Sequence, residues 1–191
     1  GVFNLVVSSW TQGELGRRQV TVTPGATLTE DFLIAYGDIT VVVTGDDGLP
    51  IERYQVLIDG MGFQSTNDTG IAVFTDIIAG PHDIEVQDSW GATVATGSVD
   101  VVADVDTPAP ITVTLGSLPV LVQTSPGNPV AGATVAVATF DSVETDASGQ
   151  VTVTRVPVGQ RQLSITSGSP WFSDLGTVAV PVVAGVNPTY T

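Results

Sequence analysis

Gly1, Gly80 and Gly159 stand 79 residues apart, and the residues that follow each keep one pattern. A fixed period of this length confines the chain to an array of similar units. Slid by one period without gaps, 39–86 superposes on 118–165. Val41 then falls on Val120, Val43 on Val122, Gly48 on Gly127, Pro50 on Pro129 and Val56 on Val135. Thr66 falls on Thr145, Gly70 on Gly149, Thr75 on Thr154 and Gly80 on Gly159. These are turn formers and apolar positions, the residues that two copies keep when a shared backbone demands them. The first segment joins the series through Leu5, Ile84 and Leu163, through Val7, Val86 and Ile165, and through Val20, Val99 and Val178, but it begins in mid-unit. A unit of this size buries only about 60–65% of its surface, so it gains from a neighbour.

The pattern within a unit is that of strands. β-branched residues and Gly or Pro punctuation recur throughout, and few windows carry the 3.6-residue period of a helix. In the second unit strands are expected near 39–43, 54–58, 63–66, 71–74, 82–86, 93–101 and 111–115, and seven short strands at this spacing make a sandwich. Ile84 and Val86 alternate with Asp83, Glu85 and Gln87, and Leu163 and Ile165 with Gln162, Ser164 and Thr166, so one face of each strand is core and the other wet. Gly48 and Gly127 suit hairpin turns, and Gly70 and Gly149 close the turns that begin at Asn67 and Asp146. The expected fold is therefore all-β, a tandem of seven-stranded, immunoglobulin-like sandwiches. The units divide as 1–37, the second half of one sandwich; 38–116, a complete one; and 117–191, complete or nearly so. Ala35-Tyr36-Gly37 and Gly116-Ser117 are expected as short linkers that leave the array semi-rigid.

The run from Val42 to Ile51, then Val56 to Ile58, the Thr-Asn-Asp-Thr-Gly turn ending at Gly70 and Ile78-Ala79-Gly80 resemble the carboxypeptidase regulatory-like modules of the transthyretin-like (prealbumin-like) superfamily. Leu121 to Val130, Thr145 to Gly149 and Pro157-Val158-Gly159 repeat the resemblance. It implies a small sandwich used as a spacer, adhesion or accessory domain on secreted and cell-surface proteins, without catalytic residues of its own. A related pilin repeat often locks itself with a Lys to Asn isopeptide bond, which a chain without lysine cannot form.

Charge narrows the partners. Fifteen Asp and five Glu against five Arg leave a net charge of −15, which disfavours nucleic acid and anionic membrane surfaces. No apolar run approaches the roughly 20 residues of a membrane helix, and no basic, apolar leader opens the chain. The expectation is that a leader was removed or that residues lie upstream. Without cysteine there is neither disulfide nor thiolate chemistry. His82 is the only histidine, on the wet face of a strand, and a serine nucleophile would need an oriented base beside it, so no enzyme is expected. Asp46-Asp47, and Asp100, Asp104 and Asp106, read as solvated turn and loop charges. Calcium takes several such oxygens, but no calcium-loop spacing occurs, so no cofactor is expected and calcium stays a minor alternative.

Trp10, Trp90 and Trp171 occur once per unit, each just after the strand that follows the turn glycine. Such a tryptophan can cap its own core, anchor a neighbouring unit or stack on a sugar ring. Asn67-Asp68-Thr69 is a glycosylation sequon in a turn of the second unit alone. In the first segment, which supplies only about three strands, Leu5, Val7, Val20, Val22, Phe32 and Ile34 are expected to present an apolar face. Leaving six such side chains wet forfeits on the order of 10 kcal/mol. Adjacent repeats of the chain or copies of it must cover that face, by edge pairing or stacking. The expected function is an extracellular or cell-surface structural fibre; the alternative is a carbohydrate-binding or accessory adhesion module.

Overall fold

The computed structural model describes residues 1–9, 13–59, 61–137, 142–167 and 176–191, and the described residues form strands and turns with no helix. The chain opens with an antiparallel hairpin of β1 (Val2–Ser9) and β2 (Gly13–Thr21). Two sandwiches follow. In the first, β3 (Tyr36–Gly45) lies between β6 (Ile71–Ile78) and β9 (Asp106–Val113). The facing sheet has the order β5 (Met61–Ser65), β4 (Gln55–Ile58), β7 (Gly80–Gln87), β8 (Thr93–Val101). The second sandwich repeats this plan. Its β10 (Leu115–Leu121) lies between β13 (Gln150–Pro157) and β16 (Gly185–Val186), against a sheet of β12 (Ser142–Glu144), β11 (Ala133–Val137), β14 (Gly159–Ser167) and β15 (Gly176–Val182). Each sandwich thus has the expected seven strands.

Period-two patterning builds the cores. Ile39, Val41 and Val43 of β3 point inward with Val56, Ile84 and Val86 from the opposite sheet, all buried. Leu118, Val120, Val135, Val137 and Leu163 do the same one period later. Buried hydroxyls pin corresponding points: the Tyr54 amide donates to Thr66 Oγ1 at 3.0 Å, and the Ala133 amide to Thr145 Oγ1 at 2.9 Å. The turn glycines also correspond. Gly70 and Gly149 have φ of 76° and 73°, and a Cβ on either would stand 2.4 Å from the carbonyl oxygen of Val43 or Val122. Only glycine meets both demands.

The last strand of each sandwich runs parallel to its first. β9 pairs with β3 from Asp38↔Asp106 to Gly45↔Val113. β16 pairs with β10 at Gly116↔Gly185 and Ser117↔Val186, and a parallel bridge joins Val120 to Tyr190. The chain therefore enters each sandwich at one end, its leading pole, and leaves at the other, its trailing pole. Pro108 and Pro110 lack the N–H groups that an added strand would need, which blunts the outer edge of β9.

Two expectations are corrected. Residues 27–34, one period before β9, form no strand, so the first segment has two strands rather than three. The reason is the missing ladder partner: β9 is held by β3 of its own sandwich, and no described strand stands beside 27–34 in that way. Second, Tyr36-Gly37 and Gly116-Ser117 are not linkers but lie inside β3 and β10. There Gly37 and Gly116 flank matching register shifts, and a Cβ on either would sit 2.2 Å from a backbone oxygen, of Val102 and Val183 respectively.

Because backbone cannot retreat as a side-chain tip can, Gly37→Ala and Gly116→Ala are each expected to cost about 2 kcal/mol or more, read as a lowered urea midpoint. A smaller loss than from an alanine at Gly62, which has open space around it, would contradict the close approach.

Candidate functional site

Three surfaces of the chain are candidates: its apolar hairpin, its turns and the contact between its sandwiches. In the hairpin, Phe3 opposes Val20, Leu5 opposes Arg18 and Val7 opposes Gly16, so these side chains share one face. Residues 22–35 return across it: the Phe32 ring lies against Gly16, with the Arg18 guanidinium 5.5 Å from its centroid, and Arg18 Nη1 donates to Glu30 at 2.6 Å. Val20 is buried and Val7, Val22, Phe32 and Ile34 are half-buried, so the face is less bare than the residues alone suggest. Phe3 and Leu5 stay 57% and 41% exposed, and Leu33 points fully outward.

The remaining residues singled out in the sequence are scattered. Trp90 sits on the Asp88–Ala92 turn, 56% exposed, and does not close over its own core. Trp10 and Trp171 lie outside the described residues. Asn67 is exposed, and its Oδ1 accepts from the Thr69 amide, the Thr69 hydroxyl and the Ile71 amide at 2.8–3.0 Å. Asp146, one period on, accepts from the Ser148 amide and hydroxyl and the Gln150 amide at 2.6–3.0 Å. The sequon asparagine is thus a turn-forming residue in its own right. His82 is not a surface histidine. Its side chain is 11% exposed, with Nδ1 2.6 Å from Asp59 and Nε2 2.7 Å from the Ile78 carbonyl, because it lies on the same face of β7 as the buried Ile84 and Val86. Both of its ring nitrogens are thus engaged within its own sandwich. Among the described residues, no three carboxylate or histidine side chains converge where they could hold a metal ion.

The contact between the sandwiches lies outside what the sequence led one to expect. β9 ends at Val113 and β10 begins at Leu115, whose side chain lies in the core of the first sandwich while its backbone belongs to the second. Asp46 accepts the Leu115 amide at 3.3 Å, and the Val158 amide donates to the Thr114 carbonyl at 3.0 Å. Two arginines of the second sandwich then reach the trailing pole of the first. Arg155 has φ of 58° at the register shift. Its Nε lies 2.9 Å from Asp47 Oδ2, unaligned for a hydrogen bond, and its Nη2 donates to the carbonyls of Leu49 and Pro50 at 3.2 and 3.1 Å. Arg161 is buried. It donates from Nε to the Pro157 carbonyl at 3.1 Å and from Nη1 to Asp88 Oδ2 at 3.4 Å. Its Nη2 bonds the carbonyls of Thr93, at 3.3 Å, and Val158. The other Asp88 oxygen accepts the Trp90 and Ala92 amides, both at 2.9 Å. A sequence signal existed: two of five cations stand one period after Asp76 and His82.

The chain is an all-β protein of tandem β-sandwich repeats. No protein-family model matches it, and no curated protein matches it. Among solved structures it is similar to the Bacillus anthracis TIE protein, with 15% identity and a TM-score of 0.38 over 82% of this chain and 33% of that one. It thus spans about a third of that protein's length. It is also similar to a minor pilin of Streptococcus agalactiae (17% identity, TM-score 0.42, 81% of this chain and 93% of that one). A shaft pilin of Lactobacillus rhamnosus GG follows at 8% identity and a TM-score of 0.36, covering 79% of this chain and 96% of that one.

The paired turns are wound by different side chains, a neutral amide at Asn67 and a titratable carboxyl at Asp146. Hydrogen bonds from the Ser148 hydroxyl, the Gln150 amide and the Ser148 amide hold the Asp146 carboxyl below its ordinary value of 3.8. A depressed carboxyl stabilises the fold above its unfolded value and loses that contribution as pH falls through the folded one. On acidification, amide exchange at Ser148 and Gln150, corrected for intrinsic rates, is expected to accelerate while Thr69 and Ile71, held by the neutral Asn67, stay protected. Asp146→Asn should abolish the difference; equal acid response in both turns would refute it.

Proposed function

We propose that the chain is a length of an extracellular structural fibre, built from repeats 1–37, 38–116 and 117–191 stacked end to end. The observation that carries this is the parallel pairing of first and last strands, which puts the arrival and departure of the chain at opposite poles of each sandwich. Repeats joined this way extend in a line, and a connection as short as Thr114 leaves little freedom to fold back. The apolar hairpin face, with Leu5, Val7, Val20, Val22, Phe32 and Ile34, is the contact through which adjacent repeats or copies of the chain complete one another. A non-closing, head-to-tail contact of this kind propagates as a filament. The role needs no cofactor, nucleic acid or membrane insertion, and suits the cell surface.

A second reading rests on Trp90. An exposed tryptophan on a turn offers a flat apolar ring for a sugar, which supports a carbohydrate-binding or adhesion module. Trp90→Ala would abolish polysaccharide pull-down in that case and leave it unchanged in a fibre.

The fibre is tested first by the intact mass of the native polypeptide under denaturing conditions. A mass far above that of 191 residues is the covalent array. If the mass is near that of 191 residues, copies must meet, and electron microscopy is expected to show filaments that Leu5→Asp disperses while circular dichroism keeps its strand signal. A small mass with rods that stay single at every concentration would sink the proposal.

A further inference from the structure

We infer that the trailing pole of the 38–116 sandwich is an order-specific recognition surface, built to accept a repeat that carries arginines at the positions of Arg155 and Arg161 and to reject a repeat of its own kind. The inference holds whether or not the chain forms fibres.

Burial makes Arg161 decisive. The side chains of Arg161 and Asp88 are 3% and 1% exposed, so each has exchanged water for the other and for backbone groups. A charge so placed is tolerated only while its partner and hydrogen bonds are present; removing one partner leaves the other stranded in low dielectric. Asp88 is also the residue around which the Asp88–Ala92 turn is wound, so the arginine of one sandwich completes a turn of the other. Arg155 is more exposed and serves as an outer clasp, its guanidinium on Asp47 and two carbonyls.

The match is private to this junction. One period back, Arg155 and Arg161 are replaced by Asp76 and His82; one period on, Asp47 and Asp88 are replaced by Pro126 and Ser167. A second 38–116 repeat on this pole would bring Asp76 toward Asp47, carboxylate against carboxylate, and leave Asp88 facing a histidine whose nitrogens are already taken by Asp59 and Ile78. The pole of the 117–191 repeat offers no corresponding carboxylate to an incoming arginine. Attraction and repulsion thus act together, as specificity requires. In a chain with five cations, placing two at one contact sets which repeat follows which.

The test is a double-mutant cycle in the whole chain, with Asp88→Asn, Arg161→Gln and both, followed by amide exchange. Arg161→Gln, a change in one sandwich, is expected to speed exchange of the Trp90 and Ala92 amides in the other by about tenfold or more. The double variant should be little worse than the poorer single one. Additive effects, or Trp90 and Ala92 protection untouched by Arg161→Gln, would overturn the inference. Should Arg161→Gln fail to fold, the milder Asp47→Asn is followed by calorimetry instead. Splitting of a joint unfolding transition into two supports the lock, and a transition unchanged in shape and midpoint counts against it.

Discussion

Parallel pairing between the first and last strands of each sandwich is the constraint on which the rest depends. A parallel neighbour cannot be reached by a tight turn, so the chain must cross the second sheet before it returns beside its starting strand. That return seals the core of Ile39, Val41 and Val43 under Ala109, Ile111 and Val113. It also delivers the chain to the pole opposite the one at which it arrived. The same ladder explains the irregular path of 27–34, whose residues correspond to β9 but have no described strand beside them. Packing survives there without pairing: Phe32 returns over Gly16 as Ile111 does over Gly97.

Two kinds of residue emerge when the repeats are compared. Some make the same contact in both sandwiches: Thr66 and Thr145 on a strand amide, Gly70 and Gly149 beneath a carbonyl, Asn67 and Asp146 winding a turn. These serve the unit. Others occupy equivalent backbone positions with opposite chemistry. His82 and Arg161 each bond the carbonyl four residues earlier, yet the first turns inward to Asp59 and the second outward to another sandwich. Such positions serve the array. Asp76 and Arg155 share a left-handed backbone, with φ of 57° and 58°, at the same register shift. Side chains of opposite charge therefore leave the strand at matching points.

The period, the seven strands of each sandwich, the turn glycines and the inward faces were legible in the residues, because each follows from rules of local reach. Alternation sets a face, a turn needs a positive φ, and a shared backbone preserves both at a fixed spacing. Gly37 and Gly116 were also in register and yet read as linkers, since a glycine kept for a carbonyl 65 or more residues away in sequence looks the same as one kept for flexibility. His82 read as wet although it shares the parity of Ile84 and Val86, so alternation itself places it on the inward face, where its side chain is 11% exposed.

The sequence by itself determined that this is an array of all-β repeats with a strong excess of acidic side chains, on strands as well as turns. Only the tertiary structure decided which of those charges are spent on contact. Asp47 stands 108 residues from Arg155 and Asp88 stands 73 from Arg161, and no local rule couples them. Their meeting depends on the poles that the parallel strands create and on the single residue that joins β9 to β10. Burial then converts Asp88 and Arg161 from ordinary surface charges into a pair that neither sandwich can satisfy alone.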